Sequence, residues 1–142
     1  MKKKEEIQTV VLKTQLARAL ADYDNLRKRV EREKAEFEKF ANLKLAIKLL
    51  PVLDVLRQAQ KHIGDPGIAI TITQFEDALK EEGIEEIKVK AEEEFNPQLH
   101  EAIEVVDEGK GKGKVKEVAL TGWRFTGGPV IRHARVKVTK KG

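Results

Sequence analysis

The sequence predicts an α+β protein: a long, dimeric, coiled-coil-like helix, a four-helix bundle formed across the dimer, and a small C-terminal, mostly-β domain. Three observations predict it. From Ile7 to His62 there is no glycine and only one proline, Pro51. After Gly83 the apolar spacing shortens from steps of three and four toward two. Charge is segregated as well. Residues 1–62 carry 15 Lys/Arg against 9 Asp/Glu, residues 63–108 carry 3 against 14, and residues 109–142 carry 10 against 1, which marks three regions rather than one mixed surface. The expected boundaries are 1–48 for the dimerisation helix, 49–83 for the bundle segment and 84–142 for the β domain.

In the first region Leu, Ala, Lys, Glu and Arg dominate, all strong helix formers. Apolar residues recur at Leu12, Leu16, Leu20, Tyr23, Leu26 and Val30, steps of three and four that draw one stripe. The stripe thins through the charged run at 31–36, then widens through Phe37, Phe40/Ala41, Ile47, Leu49/Leu50, Leu53 and Leu56. A helix of some 55 residues would extend ~80 Å, far more than the remaining chain can cover. Its apolar side therefore calls for a second copy. Pro51 removes a backbone donor and is expected to kink the helix there, or to break it and open a second segment.

The helical pattern stops at IGDPG, residues 63–67, a turn made by Gly and Pro. A second helix is expected from about Ile68 to Glu82. Ile68, Ile72, Phe75 and Leu79 share a face, and Gly83 serves as the stop. Pairing of Leu49–Leu56 with this helix, within the chain and across a dimer, makes the four-helix bundle. Beyond it, Ile84, Ile87 and Val89 suggest a short strand, and HEAIEVV a short helix or strand. Residues 115–125 and 130–138 read as two strands joined by a TGGP turn. In the second, Arg132 shares a face with Ala134, Val136 and Val138. One cation on an apolar face means either a buried carboxylate partner or a protein-binding surface.

Several chemistries are excluded or left without support. With no cysteine there is neither a disulfide nor a thiolate metal site. His100-Glu101 resembles half of a zinc helix, but Glu104 stands where the second histidine is required. His100 is expected to fix the local chain instead. GKGKGK (109–114) lacks phosphate-loop spacing and reads as a flexible loop. No nucleophile sits in a recognisable setting, so neither enzyme, metal nor cofactor is expected. No apolar run approaches the ~18 residues of a membrane span, and no signal peptide follows MKKKEEIQTV, so a soluble, cytoplasmic protein is expected. The acidic middle and scarce aromatics argue against nucleic acid.

These segments converge on a family. RALADYDNLRKR (18–29), LLPVLDVL (49–56), and the series Gly67, Phe75, Leu79, Gly83 form three blocks. The fourth is FNPQLHEAI (95–103), followed after 18 residues by Gly122 and then GWRF and IRHARVKV (131–138). In this order, over about residues 12–138, the chain resembles GrpE, the nucleotide exchange factor of DnaK-type chaperones. Trp123 stands where the family usually has Tyr or Phe, the TGGPV turn looks one residue longer, and the acidic N-terminal segment is short or absent.

The resemblance implies a parallel homodimer whose β domain wedges into the chaperone's nucleotide-binding domain and opens the cleft so that ADP leaves. By the same resemblance Arg27 meets the chaperone through charge, and Phe95, Pro97, Ala119 and Val138 lie on the chaperone-facing β surface. Arg132 joins them from the alternation of its strand. Leu16, Leu20, Leu26, Val30, Leu49, Leu53, Leu56, Phe75 and Leu79 are expected at the dimer and bundle interfaces. The competing reading is a coiled-coil scaffold with a protein-binding β domain; a basic nucleic-acid-binding dimer is the third.

Overall fold

A computed structural model of the chain describes residues 1–107 and 113–140. The expectation of a flexible loop at 109–114 therefore lies mostly outside the described residues. Two compact units are present, residues 1–42 and 43–142.

The first unit is helix α1, Lys2–Phe40, uninterrupted for 39 residues and without one buried side chain. Leu16, Leu20, Leu26 and Val30 are all about half exposed or more. Its charged surface is laced by pairs one turn apart, among them Arg29 with Glu33 at 3.8 Å and Lys34 with Glu38 at 3.8 Å. Such pairs contribute only ~0.2–0.5 kcal/mol each.

The second unit begins with helices α2 (Leu43–Ile63) and α3 (Pro66–Glu81). A break at Pro51 is corrected by this arrangement: the helix interruption falls at residues 41–42, and α2 runs through Pro51. The tolerance has a local reason. Proline leaves the carbonyl four residues earlier without its helical partner, and both Pro51 and Ile47 are exposed, so water reaches that carbonyl. Asp65 then caps α3, its Oδ1 accepting from the Gly67 and Ile68 amides at 2.7 and 3.2 Å, with Pro66 in the first turn. Gly83 ends the helix as expected: its φ of 73° is a left-handed conformation that a side chain would disfavour.

Of the faces expected to pair, Ile47 and Leu49 of α2 are exposed, and the buried side is carried by Ala46, Leu50 and Leu53. Leu50 and Leu53 are fully buried and Leu79 nearly so, each stabilising the unit by roughly 1.5–3 kcal/mol. A second α2 stripe, Leu45, Leu49, Val52 and Ile63, remains exposed.

Among the described residues six strands follow: β1 (Ile84–Ile87), β2 (His100–Val106), β3 (Val115–Leu120), β4 (Gly122–Phe125), β5 (Val130–Arg132) and β6 (Ala134–Thr139). They form two three-stranded sheets, β1-β4-β5 and β2-β6-β3. All pairs are antiparallel except β2 with β6. The first sheet meets the helices, α3 against β1 and α2 against β5. HEAIEVV is thus a strand, β2.

The two long strands expected at 115–125 and 130–138 are corrected: each is split, at Thr121 and at His133, and each contributes one half to each sheet. The crossing is tight. A Cβ on Gly122 would lie 2.4 Å from the Ala134 amide nitrogen and 2.8 Å from its Cα, so only glycine lets these backbones pass. Val115, Ala134, Val136 and Val138 are the buried cluster of the second sheet, with Val89 and Phe95 laid over it. On its opposite face Arg135 pairs with Glu101 at 3.4 Å, and Lys137 lies 3.6 Å from both Glu104 and Glu117.

Candidate functional site

The segment FNPQLHEAI is organised around a turn. The Asn96 carbonyl accepts from the Leu99 and His100 amides at 3.0 and 2.8 Å. Its side-chain oxygen accepts from the Gln98 amide at 3.0 Å. Pro97 suits the second position of such a turn because its φ is preset. His100 is buried and closes the turn, its Nδ1 accepting from the Asn96 amide at 3.1 Å. With Nδ1 accepting, the ring proton belongs on Nε2, which faces Glu93 Oε1 at 3.2 Å. The approach is bent away from the N–H direction, so it is an electrostatic contact rather than a straight hydrogen bond. Glu93 in turn accepts from the Lys90 amide through Oε2 at 3.1 Å. Phe95 stands 5.9 Å from the imidazole, ring to ring, and half-buried on the valine cluster. The histidine therefore fixes the chain that presents Phe95 and Pro97.

Of the residues expected on the β surface, Pro97 and Ala119 are exposed and Phe95 is half-exposed. Val138 is buried in the core of the second sheet. Arg132 resolves its own ambiguity: Nη1 and Nη2 donate to the two Asp54 oxygens at 2.6 and 2.9 Å. Its Nε and Nη2 also donate to the Thr121 carbonyl at 3.1 and 2.7 Å. Its fork is thus occupied within the chain, and neither Val138 nor Arg132 is an exposed residue. Arg27, on α1, is exposed; its guanidinium is 3.2 Å from Asp24 and 3.9 Å from Glu31.

Arg57 escaped the sequence reading. From α2 it donates to Glu76 on α3 through Nε at 3.1 Å and Nη2 at 2.6 Å. Nη2 also donates to Glu86 of β1 at 3.1 Å, and Nη1 to the Thr121 hydroxyl at 3.2 Å. The guanidinium lies over the Trp123 ring, 5.4 Å from its centroid. Partial burial opposes the charge, but the hydrogen bonds and charges of Glu76 and Glu86 outweigh it and hold the guanidinium pKa above its ordinary value. A signal was available: Ala46, Leu50, Leu53 and Arg57 continue one stripe in steps of four, three and four, and a cation there needs a partner.

A family model described as GrpE matches residues 1–140. The chain belongs to the GrpE family. It is 41% identical over 144 residues to Protein GrpE of Clostridium perfringens, covering 97% of this chain and 68% of that protein. Protein GrpE of Campylobacter fetus is 39% identical over 90% of this chain and 78% of its own length. Protein GrpE of Helicobacter pylori is 35% identical, over 91% and 71%. With GrpE membership comes the family's role as a co-chaperone nucleotide exchange factor. Among the described residues, no helix is long and apolar enough to cross a membrane.

Proposed function

We propose that this chain acts as a cytoplasmic homodimer that opens the nucleotide-binding domain of a DnaK-type chaperone, so that ADP leaves. It makes and breaks no bond, and needs no cofactor. The observation that carries the dimer is the uncovered stripe Leu16, Leu20, Leu26 and Val30 on a helix with no buried residue. Leaving such side chains in water forgoes roughly 1.5–3 kcal/mol apiece. A second copy covers them, and it also covers Leu45, Leu49, Val52 and Ile63 of α2, spaced as a coiled-coil seam. Leu56 and Phe75, half-buried within the chain, complete their burial in the same four-helix arrangement.

The second sheet and its FNPQLHEAI turn then offer Phe95, Pro97 and Ala119 to the chaperone, while Arg27 meets it through charge. The surface need only favour the open chaperone over the closed one. A preference of ~3 kcal/mol moves that balance about a hundredfold. The test is ADP release from a DnaK-type chaperone, followed with a fluorescent nucleotide. Acceleration that saturates with added protein is expected. No acceleration at saturating protein would leave the scaffold reading in its place.

A further inference from the structure

Thr121 is the single residue between β3 and β4, the point where the chain leaves one sheet for the other. Two arginines hold it from two directions. Arg57 grips its hydroxyl, and Arg132 grips its carbonyl while chelated by Asp54. Asp54 and Arg57 stand three residues apart on α2, so one turn of one helix anchors both grips. Arg57 alone reaches α3, β1, Thr121 and the face of Trp123.

Apolar contacts between helices and sheet resist separation but define orientation loosely. A planar guanidinium with its donors committed to different elements defines it sharply. The three charges that hold Thr121 are partly withdrawn from water: the Asp54 and Arg132 side chains are each 20% exposed and Arg57 26%, although its acceptors Glu76 and Glu86 are more open, at 39% and 42%. At that burial, directional pairing is weakened less by solvent than at an open surface.

We infer that Arg57 is a positioning residue for nucleotide exchange: with Asp54 and Arg132 it clamps Thr121 and so fixes the angle at which the second sheet is presented from the helices. The inference rests on the exchange reading proposed above. Loss of the clamp leaves the chaperone-facing side chains intact but lets their platform tilt. Binding then persists while opening of the chaperone's cleft falters.

The absence of cysteine makes the test direct. Spin labels on Gln58→Cys in α2 and Ala102→Cys in β2, both exposed, report the distance between helix and second sheet. Arg57→Met should broaden that distance distribution. It should also lower the saturating ADP-release rate about tenfold while shifting the half-saturating concentration by less than about threefold, as misplacement of an intact surface requires. Arg57→Lys, with charge but no fork, should fall between. If Arg57→Met loses its Trp123 fluorescence transition, Thr121→Val carries the test, since it exchanges the hydroxyl for a methyl of similar size; broadening with a lower saturating rate is again expected. An unchanged distance distribution overturns the clamp, as does a broadened one with the full saturating rate. Wild-type protein that fails to accelerate release overturns the exchange reading itself, whatever the labels report.

Discussion

Helix α1 and the unit that follows it solve the same problem in opposite ways. α1 has 39 residues and buries none of them. The second unit buries Leu50, Leu53, Leu79, Ile84, Ile87, Trp123 and Phe125 within its own chain. Both are rich in helix formers and in charge, so composition does not separate them. What separates them is the number of apolar faces and whether the chain can return to cover one. α2 has two faces, of which α3 and the first sheet cover one; α1 has a single face and no covering segment within its unit. Stability of the second unit is therefore expected to be a property of the chain, and that of α1 a property of the assembly.

Trp123, the only tryptophan, lies in the second unit, so its fluorescence follows that unit, while far-ultraviolet circular dichroism follows α1 together with α2 and α3. The largest effect is expected from Leu53→Asp, which places a carboxylate at a fully buried site. It should cost about 4 kcal/mol or more and abolish the cooperative fluorescence transition. An unchanged fluorescence melt would mean the face is misassigned. Next, Gly122→Ala drives a methyl into the Ala134 backbone and should cost about 3 kcal/mol in denaturant titrations read by fluorescence. Leu20→Ser, on α1, should do the reverse. It should lower helicity and weaken assembly by about 2 kcal/mol, with the Trp123 transition in place. A shift of that transition by the same amount would join the two units into one.

Smaller effects sharpen the same contrast. Asp65→Ala removes the cap of α3 and should cost the second unit about 1 kcal/mol. Arg27→Ala should weaken chaperone binding by about 1 kcal/mol, in line with exposed charge pairs, and leave dimerisation intact. A monomer by sedimentation would refute that division of labour.

The helical stretches and the Gly83 stop were legible because each rests on local spacing. For Arg132 the carboxylate partner was legible and the reason was not: it lies on β5 of the first sheet, away from the face of Ala134, Val136 and Val138 on β6, and only the fold reveals that the partner is Asp54, 78 residues away. The split strands were not legible. Residues 115–125 read as one strand because Thr121 is itself a good strand residue, and the close approach of Gly122 to Ala134, twelve residues on, leaves no mark in the local spacing. The interruption at residues 41–42 carries neither glycine nor proline, whereas Pro51 carries the warning and interrupts nothing. Arg57 went unseen because its four recipients come from three other parts of the chain. His100, by contrast, holds its own neighbourhood through Asn96 and Glu93, as its setting in FNPQLHEAI suggested.

The middle position of β6 has a consequence for synthesis. Within the sheet β2-β6-β3, the central strand is the last of the three to be made. Until the ribosome has released Ala134–Thr139, β2 and β3 have no strand partner there, and Val115, Val89 and Phe95 lack the β6 side chains they pack with. α1, built from contacts one turn apart, can form long before. A nascent chain stalled before β6 is thus expected to be helical, assembly-competent and prone to stick, needing the help of chaperones before it can give any.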